Sequence, residues 1–281
     1  MKKWQKTLLT ILLVLVLLVA MYPAYIAPKI LITNDMSAME GQCFAHRGYF
    51  DNASEAPENS LLSFQYAIDN GYGIELDVQL SSDGVPMVFH DADLMRVCGV
   101  EGKIWDYSCE ELQKMKLLDS EETIPTMAQA LELINGQVPL LVEYKMDKVD
   151  TAVCAKTQAL LDEYDGDYVI QCFHPFALLW YEAKAPHVAR GYLSKDFVAE
   201  KNAEGKEPSI LDFLLSHMIL NFLMKPDFIS YQFSDANHPA LQWAQLIGAK
   251  TGCWTLKSQE DYESVKDQFD FYIFDSFQLV K

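Results

Sequence analysis

The sequence predicts an α/β protein, a TIM (β/α)8 barrel preceded by one N-terminal transmembrane helix. Three observations carry this. From Cys43 to Asp275, short apolar runs alternate with segments of helical period, the pattern of a parallel sheet with crossover helices. Polar residues recur where the apolar runs end, at His46-Arg47, Glu75 and Asp77, His90-Asp91, and Glu143 and Lys145, and barrel active sites are built from strand C-terminal ends. Finally, Leu8 to Ala27 is uncharged and strongly apolar, and a helix of that length reaches about 30 Å, roughly one bilayer core.

In chain order, residues 1–29 read as a cytoplasmic stub and anchor. Lys2, Lys3 and Lys6 precede the apolar run and only Lys29 soon follows it, so the positive-inside rule leaves the N-terminus in the cytoplasm and the remainder outside the cell. Val19-Ala20-Met21 before Tyr22-Pro23 is a poor cleavage site, which favours a retained anchor over a signal peptide. Residues 30–42 are a linker, and 43–281 form the barrel domain, with an excursion over 92–124. Cys43 to His46 is the first strand. Ser60 caps a helix to Asn70, with Leu61, Phe64, Ala67 and Ile68 on one side. Ile74 to Leu80 alternates with period two and sets Glu75, Asp77 and Gln79 on one face. Ser81 to Gly84 is a turn, and Val85 to Phe89 the next strand.

The excursion holds a helix near Glu110 to Leu118. Helices are expected to Ile134 from Pro125-Thr126, and over 150–161, 176–184, 239–247 and 262–269. Strands are expected over 139–144, 168–173, 188–193, 227–231, 250–256 and 270–275. Lys195 to Glu207 reads as a solvated loop, and Ile210 to Leu223 as one apolar helix too short to span a membrane. This gives nine candidate strands for eight barrel places, and the pattern does not identify the surplus one.

The net charge of -18 argues against a nucleic-acid partner, which needs clustered Lys and Arg. It fits a face outside the cell or a cation site. No glycine-rich phosphate loop is present. The six cysteines form no Cys-x-x-Cys pair. An extracellular address permits disulfides, and Cys98 with Cys109 is the best bridge candidate; Cys43, Cys172 and Cys253 read as buried thiols.

In a barrel, one face of each strand looks into a closed interior, where carboxylates need a metal or a cationic partner. Glu75, Asp77 and Glu143 could hold one hard divalent cation, Ca²⁺ or Mg²⁺ before softer metals, with Mn²⁺ also admissible. His46 and His90 could serve as acid and base. Arg47 and Lys145 could bind an anionic oxygen, and Arg is well shaped for phosphate. The set points to metal-assisted attack at phosphorus.

On these residues the chain resembles the glycerophosphodiester phosphodiesterases of the membrane-anchored bacterial type. The hallmarks are His46-Arg47-Gly48, Pro57-Glu58-Asn59-Ser60, Glu75-Leu76-Asp77-Val78, His90-Asp91, Ile124-Pro125-Thr126, Glu143-Tyr144-Lys145 and Trp254-Thr255. They cover nearly all of residues 43–275, and their order and spacing are more specific than any single motif. The resemblance implies hydrolysis of a glycerophosphodiester, small or lipid-derived, to glycerol phosphate and an alcohol, with a divalent ion on Glu75, Asp77 and Glu143. It implies His46 and His90 as the acid/base pair, His46 favoured as nucleophile or base and His90 as acid to the leaving alcohol. A two-step route through a cyclic phosphate is also implied.

Arg47 and Lys145 would hold phosphate oxygens. Glu58 would assist the metal or orient Arg47, Asn59 would fix its loop, and Asp91 would orient neighbouring groups. Trp254 would pack on the glycerol, or else be a core aromatic. His174, His187, His217 and His238 read as structural, though His174, at a strand end, could touch substrate. Asp235, Asp261 and Asp275 read as surface or cap residues. Three positions depart from the family pattern: Cys172-Phe173 stands for Ser-Phe, Val97 replaces a Thr, and Phe274-Asp275-Ser276-Phe277 keeps only the Asp of the last strand's ending. Two alternatives share the scaffold, a phospholipase-D-like lyase or lysophospholipase D forming a cyclic phosphate, and a non-catalytic sensor barrel.

Overall fold

The computed structural model describes residues 2–29, 33–146 and 149–280. Positions 30–32 of the expected linker and residue 281 at the end of the expected barrel domain lie outside them. Among the described residues nine strands form: β1 (Cys43–Ala45), β2 (Gly73–Leu80), β3 (Pro86–Val88), β4 (Leu140–Tyr144), β5 (Tyr168–Cys172), β6 (Arg190–Ser194), β7 (Phe228–Gln232), β8 (Lys250–Leu256) and β9 (Phe271–Phe274). All but β3 run parallel, and β1 pairs with both β2 and β9, which closes the barrel. The surplus strand is β3. It pairs antiparallel with the overhanging end of β2, Val78 to Val88 and Leu80 to Pro86. The turn at 81–84 is too short for a parallel crossover, so a hairpin is the available arrangement.

The barrel floor is a packed apolar layer. Phe44, Phe228 and Phe271 fill it, and Met36 and Met39 close it from below. Gly191 on β6 and Gly252 on β8 make room for two of these rings: a Cβ at Gly191 would stand 2.0 Å from the Phe228 ring, and one at Gly252 2.1 Å from the Phe271 ring. With the floor filled, polar interior positions can lie only above it, toward the strand C-termini.

Most expected helices form within one or two residues of the predicted limits. Ser60 accepts a hydrogen bond from Ser63 N–H and starts the helix Leu61–Asp69. Four expectations are corrected. Residues 195–207 are not simply a loop: Asp196 caps a helix over Phe197–Ala203. The apolar stretch 210–223 is two helices, Ile210–Ser216 and Asn221–Met224, broken where Met218 takes a left-handed conformation with φ 53°. The excursion helix is one turn, Cys109–Leu112. The excursion instead folds around its own small core of Leu94, Val97, Ile104, Leu112 and Leu117. Cys98 and Cys109 are thiols, not a disulfide. Burial pushes the Cys98 thiol up to about 12, and Cys109 faces Gln113 instead.

Lys3–Ile26 is a helix long and apolar enough to cross a membrane. Its exposed leucines stand clear of the barrel, and its last turn is seated on it. There Ile26 is buried, and its carbonyl accepts from Asn221 Nδ2 at 2.7 Å.

Candidate active site

Alternation along the strands puts Glu75 and Asp77 of β2 and Glu143 of β4 inside the barrel, in register as Asp77 opposite Glu143. All three are buried, and one oxygen of each lies within 4.8 Å of the others. Asp77 accepts from Asn59 Nδ2 at 2.8 Å. Lys145 Nζ lies 3.0 Å from Asp77 Oδ1 and also bonds Glu143. Burial pushes the Glu75 carboxyl well up, and the charges of Asp77 and Glu143 push it further. Its Oε1 is buried with no hydrogen-bond partner. Three crowded carboxylates with an unsatisfied oxygen are the donor set a hard divalent cation requires, so the residues present fit such an ion.

Arg47 follows β1 in a left-handed conformation, φ 59°, uncommon for a residue with a side chain and frequent at functional sites. Three bonds hold it there: its N–H donates to Glu75 Oε2 at 3.0 Å, and its carbonyl accepts from Asn59 N–H at 2.8 Å and from Ser63 Oγ at 3.2 Å. Glu58 sits behind it and takes Arg47 Nη1 at 2.6 Å. Arg96 donates to both oxygens of Glu58, at 2.6 and 2.8 Å, and Asn52 adds a third donor. Burial alone would raise the Glu58 carboxyl; the Arg96 hydrogen bonds and the Arg47 charge outweigh it and hold it at about 2. With these donors on it, Glu58 is turned to Arg47 and lies outside the carboxylate cluster.

Both histidines are oriented from behind. His46 Nδ1 lies 2.6 Å from Asp275 Oδ1, and His90 Nδ1 lies 2.6 Å from Asp91 Oδ1. Each carboxylate fixes its ring and leaves Nε2 as the second ring nitrogen. Arg96 Nε holds Asp91 in turn, at 2.6 Å. Gln79 Nε2 donates to the carbonyls of Phe89, His90 and Asp91, which pins the His90 segment to β2. Burial lowers the His90 pKa against the pull of Asp77, with Lys145 and Arg47 adding to the lowering.

His46, Arg47, Glu75, His90, Glu143, Lys145 and Trp254 line one cavity of about 270 Å³. Asp77 is buried behind this lining, beside Lys145. Trp254 is half-buried at the wall, donating Nε1–H to the Ser230 carbonyl at 3.2 Å and meeting Phe173 edge-on. The sequence marks neither Asp275, which reads as a surface or cap residue, nor Arg96, nor Lys257, which lines the same cavity. Asp275 sits at the end of β9, the same position that singled out His46 on β1; Arg96 lies in the excursion, where no pattern marks it. His174 caps the helix Pro175–Lys184 through Nδ1, and His187, His217 and His238 do not line the cavity.

The sequence matches the Glycerophosphoryl diester phosphodiesterase family over residues 46–271. The chain belongs to this family. It is accordingly an enzyme of the phosphodiester hydrolase class. Among family members, it is 30% identical to a glycerophosphodiester phosphodiesterase of Bacillus altitudinis over 188 residues, 59% of this chain and 75% of the relative. It is 31% identical to one from Caldanaerobacter subterraneus, over 55% of this chain and 67% of the relative. In structure it is similar to an Oleispira antarctica phosphodiesterase solved in complex with the product sn-glycerol-3-phosphate. That match has a TM-score of 0.70 and 26% identity, and covers 85% of this chain and 94% of the other. A glycerophosphodiester phosphodiesterase from Thermotoga maritima shares the barrel at a TM-score of 0.64 and 24% identity, over 83% of this chain and 94% of the other. The closed barrel is thus the phosphodiesterase barrel of the family.

Proposed function

We propose that this chain hydrolyses a glycerophosphodiester to glycerol phosphate and an alcohol, with His46 and His90 as its acid/base pair. The observation that carries the reading is that both rings, each fixed by its own aspartate, line one cavity with Arg47, Lys145 and the carboxylate cluster. The diester anion would bind between Arg47 and Lys145, whose charges face the negative oxygens. Glu58 and Arg96 keep the Arg47 guanidinium aimed. His46, its Nδ1–H donating a hydrogen bond to Asp275, takes the proton of the attacking hydroxyl at Nε2. His90 delivers a proton to the oxygen of the departing alcohol. The bound phosphate brings negative charge beside His90, raising its proton affinity from the lowered resting state; this is the direction a donor needs. A divalent cation, Ca²⁺, Mg²⁺ or Mn²⁺, would be held by Glu75, Asp77 and Glu143 and would stabilise charge developing on the phosphoryl oxygens. The attacking hydroxyl belongs to water, or to the substrate glycerol with water opening a cyclic phosphate afterwards. Trp254 would pack on the glycerol.

In this reading residues 1–29 are a cytoplasmic stub and membrane anchor, 30–42 a linker, and 43–281 the catalytic barrel outside the cell. Lys2, Lys3 and Lys6 at the start of the helix support that topology. The test is turnover of a panel of glycerophosphodiesters with each metal. His46→Ala and His90→Ala should each abolish it while circular dichroism and melting stay those of the parent. Parent-like turnover in either variant overturns the mechanism.

A further inference from the structure

A second and larger cavity opens off the catalytic one. It has a volume of about 850 Å³, within the usual range for sites that enclose a single small ligand. The two cavities share His90, Glu143, Lys145 and Phe173. Past Phe173 the character of the wall changes. Phe176, Leu179, Phe197, Leu211, Leu215 and Leu223 form the far side. At the rim, Phe176, Leu211 and Leu223 are 45%, 52% and 48% exposed, and Ile210, Phe213 and Phe222 beside them are exposed as well. An exposed apolar patch of this kind marks a ligand or membrane site. A glycerophosphodiester without acyl chains offers such a wall nothing to bury.

The seating of the N-terminal helix sets which way the rim faces. Tyr25 packs edge-on against Phe222, with ring centroids 5.1 Å apart, and Asn221 Nδ2 holds the Ile26 carbonyl. Lys29 N–H donates to the Pro226 carbonyl at 2.8 Å, and its ammonium lies 3.3 Å from Asp227. From Tyr25 to Lys29 the chain therefore runs alongside residues 222–226, toward the N-terminal end of β7. One turn back, Tyr22 lies close enough to Tyr231, near the C-terminal end of β7, to interact with its hydroxyl, so the helix approaches from the end of the barrel with the catalytic residues. The barrel mouth and its apolar rim lie on the side from which the membrane-crossing helix comes.

We propose that the apolar groove holds the acyl chain of a single-chain glycerophospholipid drawn from the bilayer, with its phosphodiester set between His46 and His90. The inference rests on the hydrolysis proposed above and names its substrate class. Overall, a water oxygen becomes bonded to phosphorus, the bond from phosphorus to the headgroup oxygen breaks, and a proton passes to that oxygen. The products are an acylglycerol phosphate and the headgroup alcohol.

The test uses the full chain in phospholipid nanodiscs with divalent metal. Glycerophosphodiesters with choline, ethanolamine or glycerol headgroups are compared with their monoacyl forms from butanoyl to dodecanoyl, and alcohol release is read. With whichever headgroup is turned over, kcat/KM should rise with chain length, by at most about fourfold per methylene, until the groove is full. Leu211→Asp and Leu223→Asp should flatten that rise while leaving turnover of the chain-free diester unchanged. Leu246→Asp, at a position 81% exposed and outside the groove, should keep the full rise. A flat series in the parent overturns the inference, as does a rise that survives both groove variants; turnover of the chain-free diester then leaves the hydrolase reading standing. No turnover of any diester, with or without a chain, overturns both.

Discussion

Asp275 lines the cavity behind His46 and offers a test of the proposed acid/base pair. Its carboxylate lies 2.6 Å from His46 Nδ1, and in the proposed mechanism it would orient the ring with Nε2 toward the cavity. Asp275→Asn keeps the shape and removes the charge. It should lower kcat by about a hundredfold, the low end of general acid–base effects, and leave KM nearly unchanged. Steady-state kinetics on one diester checks this, and an unchanged kcat refutes the role. Glu58 acts through Arg47 and carries a stability consequence. Its pKa falls from an ordinary 4.5 to about 2 on folding, so its contribution is full above pH 4.5. It is lost as pH falls through about 2, and amounts to about 3 kcal/mol. Glu58→Gln should therefore melt lower than the parent at pH 7, with the gap closing as pH drops from 4.5 toward 2, as thermal melts across that range would show. Individual residues were legible in the sequence where two signals coincided. His46, Glu75, Asp77, His90 and Glu143 combine a chemical type with a strand-end or strand-face position. Asp275 had the position, but one acidic residue at the last strand looks like a cap. Arg96 had neither signal, because it reaches Glu58 and Asp91 only through the folding of the excursion.

At the level of elements, the sequence was read correctly wherever one period held. Strands β2 and β4 alternate cleanly, and their inward faces deliver the carboxylates. The surplus strand could have been identified. A turn over 81–84 cannot carry a parallel crossover, and the connection length alone marks 86–88 as a hairpin arm. The break at Met218 was not legible, because Ile210 to Leu223 is apolar throughout and tertiary packing chooses where it bends. The floor of the barrel gives a sharper test of packing. Gly191→Ala places a methyl 2.0 Å from the Phe228 ring, inside a buried layer with no open side. It should cost about 1–3 kcal/mol, and Phe228→Leu combined with it should recover part of that loss. Urea denaturation of the two single variants and the double variant measures the coupling. Additive losses would show that ring and glycine do not meet.

For the molecule as a whole, the carboxylate cluster ties local chemistry to global stability. Glu75 and Asp77 stand on β2 and Glu143 on β4, and Asn59 and Arg47 bring the β1 loop onto the same group. Without a cation, burial and mutual repulsion drive the Glu75 carboxyl toward its protonated form, and Lys145 supplies the nearest compensating charge to Asp77 and Glu143. A divalent ion that binds the folded barrel and not the unfolded chain must stabilise it by mass action, by about 2.7 kcal/mol at a hundred times its dissociation constant. Adding Ca²⁺, Mg²⁺ or Mn²⁺ to chelator-treated protein should raise Tm in a saturable way. Glu75→Gln should abolish the rise, and it should melt higher than the parent in chelator, because an amide of the same shape is neutral without the cost of taking up a proton. A parent whose melting ignores all three metals would contradict the cation site. A Glu75→Gln variant that melts lower in chelator would mean that the carboxylate is already compensated by Arg47 and Lys145 alone.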